Sequence, residues 1–361
     1  MKKSFWLAGA ATGVMALALS TAASAADWTD STKISGRMYF DASTVSHKSD
    51  GAKTGLTDNG YGFDIKRFYV GIDHKFNDVF SANVTTDFQY KSALGATELY
   101  IKKAYLEAKL SKALDLRLGS TDLPWIPFVE GIYGYRYVEN TLVDRTKYGT
   151  SADWGIHAKG KLADGMFEYA VALVNGAGYK SPPGAGNAKK FKSVDIEARV
   201  NVNFDNFVVA LGGYSGKLGK DVQDAVTYHT AKRFNALAAY KTKTVRVGVE
   251  YFKANDWKNV TSMTSEDSSG YGAFASYKFN PEWAVFGRFD HVKPNETTAP
   301  SVKNNYYNIG VTYSPAKIVD LSLVYKHDKS DNGYVSTGNG TIGGSIEGVR
   351  SEFGLFGRLR W

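Results

Sequence analysis

RSEFGLFGRLRW, residues 350–361, places Phe353, Leu355, Gly357, Leu359 and Trp361 on every second position, with Glu352, Arg358 and Arg360 among the alternate ones. A period of two is that of a β-strand, whose side chains point to opposite faces. One face is therefore apolar and the other charged. The last residues of a domain ordinarily fray in water, so a tryptophan in this place calls for an apolar surrounding.

The same alternation recurs upstream. Including the final run, it appears in sixteen stretches: residues 33–42, 63–76, 80–90, 99–110, 114–120, 153–162, 167–176, 193–204, 207–216, 233–242, 245–254, 271–279, 283–292, 305–314, 318–327 and 352–361. Connections alternate between short turns, such as Asn77 to Val79 and Asp205-Asn206, and longer loops rich in Gly, Ser, Asp and Lys. Aromatic residues flank the short turns, among them Phe76, Phe80, Phe167, Phe204, Phe207, Tyr277, Phe279 and Trp283. A soluble sandwich also alternates, but it has no reason to ring its turns with aromatic side chains. The pattern predicts an all-β fold, a 16-stranded antiparallel transmembrane β-barrel with both termini on the periplasmic side. A barrel of that size is wide enough to hold water.

Composition agrees with a membrane barrel. The chain of 361 residues has 37 Gly, 23 Tyr and no Cys, with a formal charge of +8. Residues 1–25 carry Lys2 and Lys3, an apolar stretch and Ala23-Ser24-Ala25, which reads as a signal peptide removed on export. The barrel domain is then expected over residues 26–361. The remaining charge excess is mild and spread along the chain, so nucleic acid is not an expected partner. Without cysteine an exported chain has no disulfide framework, and a continuous hydrogen-bonded sheet must hold it together. Outer-membrane lipids are the expected surroundings.

One connection stands apart: TDLPWIPFVEGIYGYRYVENTLVDRTKYGTSA, residues 121–152, is too aromatic to remain in water. It brings Glu130, Arg136, Asp144 and Arg145. On the polar faces of the strands beside its base lie Arg37, Arg67, Lys103 and Arg117, candidates for a basic wall that lowers the barrier for anions. For any one of these side chains the competing role is to solvate the wall and tie neighbouring strands. No metal spacing or nucleophile motif stands out among the six histidines, and GAGNAKK at 184–190 lacks the Lys-Ser/Thr ending of a phosphate loop. No cofactor is expected.

The runs IKRFYVGIDHKF, AYLEAKLSKALDLRLGSTDLPW and DRTKYGTSADWGIHAKGKLADGMFEYAVALVNGAGY, within residues 65–179, resemble the phosphate-selective porin O/P family of Gram-negative outer membranes. The resemblance touches Lys66, Arg67, Arg117, Pro124, Asp144 and Arg145. It implies a trimeric channel for passive diffusion of small hydrophilic solutes or anions; residues 121–152 form the third long loop, which in general porins folds into the lumen, with an outside cap or a subunit contact as the alternative. Separately, a terminal aromatic residue behind alternating apolar ones resembles the signal by which bacterial outer-membrane proteins are handed to the barrel assembly machinery, which implies that role for Phe353, Leu355, Leu359 and Trp361. GSTDLPW departs from the family pattern at the start of the loop, and the acids along the strands interrupt a continuous arginine ladder, so phosphate specificity does not follow. A structural or adhesive barrel plugged by its loops, and a barrel enzyme, are the alternatives.

Overall fold

The computed structural model describes residues 28–54, 59–91, 96–181, 190–223 and 225–361, so the expected signal peptide and most of GAGNAKK lie outside the described residues. Sixteen long strands form the wall: β1 Thr32–Ser49, β2 Gly60–Lys75, β3 Phe80–Lys91, β4 Ala96–Ser111, β5 Leu114–Asp122, β6 Ala152–Leu162, β7 Phe167–Val174 and β8 Asp195–Phe204 make one half. The other half is β9 Phe207–Gly216, β10 Ala231–Lys241, β11 Val245–Asn255, β12 Asp267–Lys278, β13 Trp283–Lys293, β14 Lys303–Ala316, β15 Val319–Asp331 and β16 Glu347–Arg360. Each pairs antiparallel with its neighbours, and β1 pairs with both β2 and β16, closing the sheet. Full closure leaves no free edge at the first and last strands, which is what lets a sheet stand in lipid.

The predicted strand count holds. Several strands run further toward the long-loop mouth than the alternation indicates: β1 continues through STVSHKS to Ser49, and β16 begins at Glu347. Apart from Val45 and Val349 these extensions are polar or glycine, so a pattern based on one apolar face cannot see them.

Outward side chains form an apolar belt. Leu118, Ile156, Val200, Leu211, Val249, Ile309 and Leu323 are all exposed, a continuous surface too large to be stable in water. At the short-turn rim Phe204, Phe207, Phe279 and Trp283 are exposed, and rings pair across strands, with Trp283 and Tyr313 centred 4.7 Å apart. Trp361 completes this rim. Its backbone exchanges hydrogen bonds with Gly36, at 3.0 and 3.2 Å, and its indole lies 5.7 Å from the Phe68 ring. A Cβ on Gly36 would fall 1.9 Å from the indole, so glycine is what admits the ring there.

Two bulges break the alternation. Tyr39 faces Arg67 and Phe40 faces Ile65, leaving Lys66 as the extra residue; Thr85 faces Lys103 and Thr86 faces Ile101, leaving Lys102 extra. A bulge re-aims a side chain. Here it brings two consecutive basic residues, Lys66-Arg67 and Lys102-Lys103, to the inner face, where Lys66 meets Asp41 at 3.0 Å and Lys103 meets Asp122 at 2.5 Å. β2 and β3 pair only from Val70 to Lys75, so the upper part of this seam is bridged by side chains such as Arg67 and Asp87.

Candidate constriction site

Residues 123–151, between β5 and β6, form the third long loop, L3. Its first helix, α1 (Ile126–Tyr133), has Pro127 in its first turn, where a missing N–H costs nothing, and ends at Gly134 with φ of 83°, whose N–H donates to the Glu130 carbonyl. A second turn, α2, spans Leu142–Arg145. Trp125, Ile126, Val129, Ile132, Leu142, Val143 and Tyr148 are buried against Ala210, Leu237, Phe252, Trp257 and Phe274, which come from the far half of the barrel and its loops. Each large side chain so buried contributes about 1.5–3 kcal/mol. The ring of Trp125 sits over Gly212, where a Cβ would approach it to 2.6 Å.

Polar anchors fix the loop along its whole length. The Trp125 N–H donates to Glu197 at 2.9 Å, and Glu197 pairs with Arg233 at 2.9 Å, which also donates to the Tyr148 carbonyl. Arg288 donates to the Asn140 carbonyl at 2.6 Å and to Asp290, and the Leu142 N–H donates to Glu250 at 3.2 Å. The Tyr137 hydroxyl meets Ser322 at 2.7 Å. Arg145 reaches Asp290 at 2.9 Å and Asp328 at 3.1 Å. Glu197 of β8, Arg233 of β10, Glu250 of β11, Arg288 and Asp290 of β13 and Asp328 of β15 are thus engaged beneath L3.

This corrects one expectation. Arg145 is fully buried and does not line the lumen; it is a bolt between the loop and the far wall. The alternation had no means of separating inward charges that meet water from those that meet the loop.

The other expected residues converge on the near side. Arg37 donates to the Tyr39 hydroxyl at 3.3 Å and has no carboxylate partner among the described residues. Tyr39 and Tyr69 meet edge to face at 6.0 Å. Arg67 pairs with Asp87 at 3.5 Å, and Arg117 with Glu107 at 2.8 Å while stacking on Tyr105. Opposite, L3 presents Glu130 bound to Arg136 at 2.6 Å and Arg136 beside Asp144 at 3.5 Å. Arg136 lies in electrostatic reach of Arg67, Tyr69 and Tyr39. Burial pushes the Asp144 carboxyl above its ordinary range, against the pull of Arg136.

Lys102, which period-two reasoning turned toward lipid, belongs to this wall. Its ammonium is buried, 4.8 Å above the Tyr69 ring and 5.7 Å from that of Tyr179. The sequence signal was present in KK at 102–103, flanked by aromatic and apolar residues, since a lysine in mid-strand at the lipid face is expensive. A basic wall from β1, β2, β4 and β5 therefore faces a loop surface carrying two acids and one arginine. Fixed charges of opposite sign across a narrow opening set a transverse field and sort solutes by charge.

The closed barrel defines a class: an outer-membrane channel protein. Residues 10–333 match the family model described as Gram-negative porin, and the chain belongs to that family. No curated protein matches it in sequence. Among solved structures, it superposes on an anion-selective porin from Comamonas acidovorans with 12% identity, 92% of this chain and 99% of that one covered, and a TM-score of 0.67. The outer-membrane channel DcaP of Acinetobacter baumannii matches with 14% identity, 91% and 97% coverage and a TM-score of 0.61. A trimer form of OmpT from Vibrio cholerae matches with 14% identity, 91% and 99% coverage and a TM-score of 0.59.

Proposed function

We propose that the protein is a general diffusion porin with a preference for small anions, and that Arg37, Arg67, Lys102, Lys103 and Arg117, facing Glu130, Arg136 and Asp144, form its eyelet. The observation that carries this is the asymmetry of the lumen. Cations on the far wall without a carboxylate partner, Arg199 and Arg246, donate to the L3 carbonyls of Pro124 and Ile132, whereas on the near wall Arg37 and Lys102 have neither a carboxylate partner nor a hydrogen bond to L3 among the described residues. An anion-selective porin of the same fold points the same way. Phosphate is one anion such a wall accepts.

The working protein is a homotrimer, as in the trimer form of a structural neighbour, delivered across the periplasm after loss of residues 1–25. Phe353, Leu355, Leu359 and Trp361, on the lipid side of the closing strand, are read by the assembly machinery. The test of function is the zero-current potential of the purified protein in a planar bilayer under a salt gradient, with and without phosphate. An anion-selective potential is expected; a cation-selective one sinks the reading, and absence of conductance would favour a barrel plugged by its loops.

A further inference from the structure

We propose that Lys102 and Lys180, set among Tyr69, Tyr100 and Tyr179 above the eyelet, form a binding site for small dianions on their way into the channel. This rests on reading the chain as an open, anion-preferring pore. It adds a discrete site to that reading and a charge requirement on its ligand.

The site is built from a strand bulge and a loop. The bulge in β4 turns Lys102 inward beside Lys103. The segment after β7 folds back over the wall: the Tyr179 N–H donates to the Ala152 carbonyl at 3.2 Å, the Gly178 N–H to Asp153 at 3.1 Å, and the Trp154 indole N–H to the Tyr179 carbonyl at 3.1 Å. Tyr179 is thereby laid on Tyr100, ring centres 6.0 Å apart and planes 26° from parallel. Lys180 reaches β3, donating to the Gln89 side-chain carbonyl at 2.6 Å, with its ammonium 4.7 Å from the Tyr100 ring.

Neither ammonium has a carboxylate partner among the described residues. Lys102 is nine-tenths buried, and its one polar contact among the described residues is the Tyr69 hydroxyl at 3.4 Å. A buried charge without a counter-ion is costly, and ring faces offset only part of that cost. The acids nearby are occupied. Asp122 and Glu130, the acids that act on Lys102 from a distance, are paired with Lys103 at 2.5 Å and Arg136 at 2.6 Å; Asp87 accepts from the Tyr100 hydroxyl at 2.9 Å and from Arg67, and Glu98 accepts from the Gln89 amide at 3.1 Å. Both ammonium groups lie within 6.0 Å of the Tyr179 ring centre and within electrostatic reach of each other. A monoanion satisfies one of them and exchanges readily with chloride. A dianion satisfies both, through charge-assisted hydrogen bonds that direct its acidic groups. Dicarboxylates and hydrogenphosphate share this chemistry.

The test uses the purified full chain in a planar bilayer at low ionic strength, with succinate at pH 7, phosphate at pH 8 and acetate as the monoanion. Chloride current should fall with added succinate or phosphate at concentrations where acetate has no effect. K102Q and K180Q should each raise the half-blocking concentration about tenfold, the loss of one charged hydrogen bond. Block by succinate alone assigns the site to dicarboxylates, block by phosphate alone to phosphate, and either supports a dianion site. Equal block by acetate, or unchanged half-blocking concentrations in both variants, overturns it. If K102Q fails to fold, the exposed K180Q decides. A protein that passes no chloride refutes the pore reading instead, and calorimetric titration of succinate and phosphate into the detergent-solubilised protein then decides the site: saturable binding weakened by K180Q supports it, and no binding overturns it.

Discussion

Replacing Arg145 by methionine removes the bolt that holds the exit arm of L3 to the far wall. Arg145 donates to Asp290 at 2.9 Å, Asp328 at 3.1 Å and Asn304 at 3.2 Å, and stacks 4.4 Å from the Tyr306 ring. Removing one member of a buried ion pair costs about 3–5 kcal/mol, mostly because the partner is left charged and dry. Asp290 keeps both of its contacts to Arg288, at 2.8 and 2.9 Å, so the group truly orphaned is Asp328, left with the Asn304 amide at 2.5 Å. One orphan instead of two puts the expected loss at the lower end, about 3 kcal/mol. Methionine fills much of the space of the arginine stem, which keeps any cavity small. D328N in the R145M background removes the orphan charge and should recover more than half of the loss. The assay is the urea midpoint of the detergent-solubilised barrel, followed by heat-modifiable mobility, alongside open-channel current noise, which should rise as L3 loosens. An R145M midpoint equal to that of the parent, or a double variant less stable than R145M, would refute the reasoning.

Neutralising the near wall in R37Q/R67Q should move the zero-current potential toward cation selectivity without lowering the unfolding free energy by more than about 1 kcal/mol, because Arg37 has no carboxylate partner among the described residues and the Arg67–Asp87 contact is long; an unchanged potential removes these residues from the eyelet. The hairpin Tyr334–Thr337/Gly340–Gly343 bends into the mouth, where the Gly338 N–H donates to the Arg145 carbonyl at 2.7 Å and the Asn339 amide to Glu139 at 2.8 Å. Deleting residues 334–343 should raise single-channel conductance, and an equal or lower conductance means that the hairpin does not narrow the path. Asp50 accepts from the N–H groups of Glu347, Ile346 and Ser345, which hold its carboxyl below the ordinary range. Its stabilisation of this loop contact is therefore present above the usual aspartate pKa and is lost as pH falls through the lowered value. Amide-exchange protection of residues 345–347 should drop in that acid window in the parent and stay flat in D50N. W361A should reduce the amount of folded protein reaching the outer membrane while leaving refolding in detergent largely intact; equal delivery removes the assembly role.

Much of the architecture is legible along the chain because each strand divides two solvents. Val249 meets lipid and Glu250 does not, and this contrast repeats often enough to yield sixteen strands, their short turns and the third long loop as one too apolar to be left in water. The same contrast fails where neither face is continuously apolar, as in residues 43–49 of β1. It also fails where a bulge shifts the phase: Lys102 reads as a lipid-facing residue until its pairing with β3 is known.

What the sequence by itself determined is the closed barrel, its membrane setting and the inward direction of most of its charges, since those follow from local periodicity and the cost of unpaired backbone in lipid. What only the tertiary structure decided is which of those charges remain available to a solute. Arg145 and Arg117 are alike as residues on the page of sequence, yet one is sealed between L3 and two aspartates and the other stands on the near wall. The difference is made by a loop crossing the lumen to residues more than a hundred positions away, and no local pattern encodes which cation meets which acid at the end of that crossing.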